Sequence, residues 1–282
     1  VLRTHESNPS KTDGCRRLVS IRQFRPRQDR RTGLTIWGNL RLYFLLFAAI
    51  GSQIAYALVV LNSLDSHDLK KILTLSYVVA GGLFMIAHAR FAFGNRFGTI
   101  YFLVTYTLAF LVEWLGSSTG WPFGQYSYND SLGPRLLGVP LVVPCAWLMM
   151  VYPMLLIGRK LSTHWPSLIA GTGLMFWDLY IDPTMVADGR WTWKADSPTT
   201  PFAPHIPLSN SIGWLLVGFL MASLLHKVLP KERRKKGISV KRVDYFVAWT
   251  IFSGFIGGTF FFDRPGVTII ATLGLLSIYA PY

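Results

Sequence analysis

Long uncharged apolar runs, separated by polar connections, dominate the chain. Crossing roughly 30 Å of hydrocarbon takes about 20 helical residues, and seven runs meet that requirement. They fall near Leu42 to Leu61, Ile72 to Ala89, Thr99 to Leu115, Leu136 to Ile157, Pro166 to Ile181, Ile212 to Leu229 and Tyr245 to Phe262. A shorter run, Val267 to Tyr279, reads as a tilted eighth span or a re-entrant segment. Lipid leaves exposed backbone polar groups unsatisfied, so each run is expected to be helical. The expected fold class is all-α, a polytopic integral membrane helical bundle of seven to eight transmembrane helices. It forms one domain over residues 37–282, preceded by a basic arm over residues 1–36.

Composition supports this picture: 51% of positions are hydrophobic, 15% aromatic and only 15% charged, unlike an ordinary soluble domain. Charge sets the orientation, because basic residues stay on the cytoplasmic side during insertion. The arm through Arg41, the pairs Arg90 with Arg96 and Arg159 with Lys160, and the stretch from Lys227 to Arg242 hold 22 of the 28 basic residues. Every second connection is therefore expected to be cytoplasmic, as is the N-terminus, with a bacterial cytoplasmic membrane as the setting. The net charge of +14 then reflects topology and contact with anionic membrane lipid rather than nucleic-acid binding. The arm lacks an apolar core, so it reads as a disordered cytoplasmic tail, neither signal peptide nor span. Cys15 and Cys145 are too few and too far apart for a metal cluster or a disulfide framework.

Against this apolar background the segment FWDLYIDP, residues 176–183, places Asp178 and Asp182 four positions apart and hence on one helix face. On the charge-derived topology both lie near the outer end of the fifth span. Glu113 lies near the outer end of the third span, and Asp263 closes the seventh. Ionisable residues at membrane depth are costly and mark functional sites, unless they cap helices or pair with Arg190, Lys194, Arg135 or Arg264. The connections that follow Glu113 and Asp182 are long and rich in Trp, Tyr, Phe, Pro and Gly. Two readings stand side by side: an interfacial aromatic belt, which would account for Trp121, Trp191 and Trp193, and a folded lid with turns at Gly116, Gly120, Pro122 and Gly124.

Carboxyl groups beneath aromatic faces suit acid catalysis on a hydrophobic alkene, since a desolvated carboxyl group keeps its proton to higher pH. Protonating a trisubstituted double bond gives a tertiary carbocation, ring faces stabilise it, and a second carboxylate orients the water that adds. This chemistry requires no metal, nucleotide or redox cofactor, and the chain carries no GxGxxG, P-loop, CxxC or clustered histidines. His88 reads as a core or pore residue.

At these same residues the motifs EWLGSSTGWPFGQYSY, LGVPLVVPCAWLMM, DLYIDPTMVADGRWTW and IPLSNSIGW resemble the membrane-bound carotenoid hydratase family of carotenoid biosynthesis. The resemblance runs from about Leu103 to Val217. It implies addition of water across the terminal double bond of an acyclic carotenoid such as lycopene, γ-carotene or a longer chain, giving a tertiary alcohol. By that resemblance Glu113, Asp178 and Asp182 fall on acidic positions, and Trp114, Tyr126, Asn210 and Trp214 on polar or aromatic ones. Trp121, Tyr128, Trp177 and Trp191 complete the candidate substrate-binding set. His205 stands where the family pattern leads one to expect Gly.

Two other readings compete. The DxxxD spacing fits a magnesium-dependent intramembrane prenyltransferase, but only one such pair exists, on the side away from soluble diphosphates. A proton-coupled transporter would also use intramembrane acids. Here the acids share one layer, and no internal repeat supports a transporter built from parallel repeats.

Overall fold

The computed structural model describes residues 29–62, 66–194, 198–231, 234–235 and 239–282. Cys15 and most of the expected basic arm lie outside these residues. Two units are distinguished, residues 1–37 and 38–282; residues 29–37, the described part of the first, are helical, and the second contains residues 38–61 of the first helix together with all the other helices and connections.

Eight α-helices are present among the described residues, in chain order α1 (Asp29–Leu61), α2 (His67–Phe93), α3 (Asn95–Thr119), α4 (Val143–Leu161), α5 (Pro166–Ala187), α6 (Leu208–Val228), α7 (Lys241–Ile256) and α8 (Pro265–Tyr279). The fold is an all-helical bundle. Trp37–Leu61, His67–Phe93, Asn95–Thr119 and Leu208–Val228 are each long and apolar enough to cross a membrane, as expected of an integral membrane protein. Its surface agrees: Phe44, Phe252 and Leu273 are 72%, 58% and 63% exposed, while Trp147 and Phe84 are sealed inside. Helices that are apolar on both faces have lipid for a solvent.

The helices match the apolar runs with three main displacements, the first being that α1 begins at Asp29, well ahead of Leu42. The run from Leu136 enters its helix only at Val143, because Leu137 and Gly138 adopt left-handed backbone conformations and turn the chain into a hairpin of β2 (Arg135–Leu136) and β3 (Val139–Pro140). The run from Tyr245 leaves α7 at Ile256 and continues as a wider π-type turn over Gly257–Phe261. Four more strands, all in the connections after α3 and α5, are β1 (Tyr126–Tyr128), β4 (Trp191–Trp193), β5 (Thr199–Thr200) and β6 (Ala203–Pro207). β1 pairs with β4 and β5 with β6, both antiparallel.

Helix α5 packs against α4, α6 and α8, and α4 in turn against α2 and α3. Helices α5 and α6 cross at backbone distance. A methyl group added at Gly171 would sit 2.7 Å from the Phe219 backbone nitrogen and 2.8 Å from the Leu215 carbonyl oxygen, and Gly218 faces Gly171 from the other side. Small residues let membrane helices approach backbone to backbone. That approach carries Asn210, in the first turn of α6, alongside the acids of α5. Deeper in the bundle His88 is buried, with Nδ1 2.9 Å from the Tyr152 hydroxyl and Nε2 3.0 Å from the Ser239 carbonyl oxygen. It is a satisfied core residue.

Replacing Gly171 by Val is expected to overpack this crossing, at a cost of about 1–3 kcal/mol. Thermal unfolding of the detergent-solubilised protein should show a clear loss of stability, larger than for a substitution at Gly51, where nothing lies within 4 Å.

Candidate active site

Helix α3 ends at Gly120, whose left-handed φ of 82° only glycine adopts without cost, and the chain turns there over the end of the bundle. The strand that follows alternates aromatic and polar, Tyr126-Ser127-Tyr128, and so does its partner, Trp191-Thr192-Trp193. The register sets Tyr126 opposite Trp193 and Tyr128 opposite Trp191. With a period of two, the aromatic rings share one face and Ser127 and Thr192 the other. The two long connections are thus joined into one lid, with its ring face turned toward the helices.

The lid's polar ring atoms reach two carboxylates. The hydroxyls of Tyr126 and Tyr128 both donate to Glu113 Oε2 at 2.6 Å, and Trp147 Nε1 donates to Oε1 at 2.9 Å. Burial, followed by the Glu113 charge, pushes both tyrosine hydroxyls well above their ordinary range, so they remain donors. Asp182 Oδ1 accepts from Trp191 Nε1 at 2.5 Å and Trp193 Nε1 at 2.9 Å. One amide joins the aspartates, as Asn210 Nδ2 donates to Asp178 Oδ2 at 2.8 Å and to Asp182 Oδ2 at 2.7 Å. Glu113, Asp178, Asp182 and Asn210 are all buried.

The carboxylates are therefore unequally supported. Glu113 and Asp182 each accept three hydrogen bonds from neutral side chains, the shell an anion needs in a buried site. Asp178 accepts one, and among the described residues no donor reaches its Oδ1. All three line a cavity of about 140 Å³. Trp147 and Trp214, also in its wall, stack at 4.0 Å between centroids with planes 6° apart. The neighbouring cations pair elsewhere: Arg190 with Asp188 at 2.6 Å and Arg135 with Asp130 at 3.0 Å.

Residues 73–281, which include every member of this cluster, match the family described as carotenoid biosynthesis protein. The chain belongs to that family. It is also similar to the bisanhydrobacterioruberin hydratase of Haloarcula japonica, 35% identical over 124 residues, a stretch that spans 41% of each chain. No solved structure matches the chain.

Of the residues singled out in this carotenoid biosynthesis protein, Glu113, Tyr126, Tyr128, Asp178, Asp182, Trp191, Asn210 and Trp214 line the one cavity. Trp177 lines its neighbour. Trp114 and Trp121 are 42% and 59% exposed and line neither cavity, and exposed Asp263 does not join the other acids. Sequence reasoning missed Trp147, Trp193 and Phe123 as cavity residues. Trp147 stands inside an apolar span, where one aromatic residue looks like any other. Trp193 could have been found from the alternation WTW matched to YSY. Among the described residues no group of three His, Cys, Asp or Glu side chains is placed to hold a metal ion, and a donating amide occupies the position between the paired aspartates.

Tyr128→Phe and Trp191→Phe each keep a ring and remove or misplace one donor to a buried carboxylate. Each is expected to cost about 1.5–3 kcal/mol in thermal unfolding. Ser127→Ala, on the opposite face of the same strand, should stay within about 0.5 kcal/mol of the parent.

Proposed function

We propose that the protein is a carotenoid hydratase, embedded in the bacterial cytoplasmic membrane by seven or eight spans with its N-terminus in the cytoplasm. It adds water across the terminal double bond of an acyclic carotenoid end group to give a tertiary alcohol. The observation that carries the reading is the unequal hydrogen bonding of three buried carboxyl groups beside a stacked indole pair. Family membership and the hydratase relative support the same conclusion.

Asp178, with least support for an anion, delivers its proton to the less substituted alkene carbon. The π electrons form the new C–H bond and leave a tertiary cation. The ring faces of Trp147 and Trp214 and the negative charge held on Glu113 stabilise that cation without trapping it. Asp182, fixed by two indoles and an amide, orients a water molecule. The water oxygen bonds to the cation while Asp182 accepts its proton. Return of that proton from Asp182 to Asp178 resets the site, and the net change is the addition of one water. Two of the three hydrogen bonds donated to Asp182 come from rigid indole rings, so the base is positioned before substrate arrives.

Expression in a host that accumulates lycopene or γ-carotene should yield pigment heavier by one water, its oxygen derived from labelled water and none from molecular oxygen. Asp178→Asn is expected to lower turnover by about a hundredfold to ten-thousandfold while the protein remains inserted. Undiminished turnover in Asp178→Asn, Asp182→Asn and Glu113→Gln alike would overturn the assignment. A magnesium chelator is expected to leave activity intact; its loss would redirect attention to a metal-dependent transferase.

A further inference from the structure

Beside the acid-lined cavity lies a second, of about 290 Å³, bounded by α1, α2, α4, α5, α7 and the π-type turn. Thr74, Tyr77, Met149, Ile181 and Met185 line both, so a single layer of side chains separates the two spaces. Met149 and Met185 are unbranched and adaptable, a partition that can yield. The acid-lined cavity alone falls short of the roughly 300–1,000 Å³ usual for a small-molecule site, and only the two together fall within that range.

The second cavity is built for an apolar, flat occupant. Its lining contains no Asp, Glu, Lys or Arg, and eight of its 22 residues are aromatic. Several of its polar atoms are already turned to protein partners: Trp249 Nε1 donates to Gln53 Oε1 at 2.6 Å, and the hydroxyls of Tyr180 and Thr272 lie 2.7 Å apart. On the α7 wall Phe252 is 58% exposed on the apolar outer surface, which places the cavity within reach of lipid. A polyene chain needs ring faces and no hydrogen bonds, and it resides in the bilayer beforehand.

We propose that this second cavity holds the conjugated chain of the substrate, admitted from the bilayer beside Phe252, while the end group passes the Met149 and Met185 partition to reach the acids. The inference rests on the carotenoid hydratase reading and adds to it the residues that select for a long chain. Those residues belong to α1, α7 and the π-type turn, outside the acid cluster.

Gly257 and Ala57 test it from two different elements of the wall. Gly257 lines the cavity in helical backbone, φ −61° and ψ −54°, and a Cβ there meets nothing within 4 Å, so Gly257→Leu adds bulk at the cavity wall with no clash at its Cβ. Ala57→Phe intrudes from α1. Each full-length variant is assayed in membranes against an acyclic carotenoid and against a short alkene bearing the same terminal isopropylidene group. Polyene retained by the purified protein is measured by absorbance. Both variants should lower kcat/KM for the carotenoid about tenfold or more through KM, keep their rate on the short alkene, and retain less polyene. An unchanged ratio of long to short substrate in both variants, with undiminished polyene retention, overturns the inference. If the parent protein hydrates neither substrate, the hydratase reading falls. The retention measurement then decides the chamber alone: pigment held by the parent and lost from both variants upholds it, and equal retention rejects it.

Discussion

A carboxyl group sunk into an apolar bundle must find hydrogen-bond donors within the protein, because neither lipid nor a dry cavity offers any. Much of the loop-bearing end of this molecule answers that requirement. Tyr126, Tyr128 and Trp147 surround Glu113, and Trp191, Trp193 and Asn210 surround Asp182. Each donor imposes a further demand on the chain. The four lid donors require two distant connections to pair in one register. Asn210 requires α6 to approach α5 at backbone distance, which Gly171 and Gly218 permit. Trp147 requires α4 to start late enough for its second turn to face Glu113.

Helix existence and approximate position were legible in the sequence because lipid permits so few alternatives: an uncharged run of sufficient length has nowhere else to satisfy its backbone. The ends were less so. At Leu136 an apolar run continues across a hairpin, and only Gly138 and Pro140 hint that the helix has not yet begun. Which faces pack inward was not legible at all. In water, apolarity separates core from surface, but Phe252 at the lipid boundary and Phe246 in the core are the same residue type on the same helix.

The site divides in the same way. Carboxylates stand out against an apolar background, so Glu113, Asp178 and Asp182 announce themselves, and their spacing already implies a shared face for the aspartates. Aromatic partners do not stand out in a chain with 10 Trp, 12 Tyr and 19 Phe residues. Trp147 gained meaning only from its distance to Glu113, and Trp114, beside Glu113 in sequence, points elsewhere. Pairing of β1 with β4 links residues some 65 positions apart, and two three-residue alternations are too short to declare a strand by themselves. Belt and lid were equally good accounts of the same aromatic residues until that register was known.

The roof over the acids is also their scaffold. Raising the β1 and β4 ribbon would carry away both tyrosine hydroxyls from Glu113 and both indoles from Asp182 in one motion. On the proposed function, a substrate admitted through the roof would dismantle the groups that act on it. That proposal leaves the flanks for traffic, where a molecule dissolved in the membrane would meet the protein without ever crossing water. On the same proposal the aqueous side has only the smallest reactant, water, to supply.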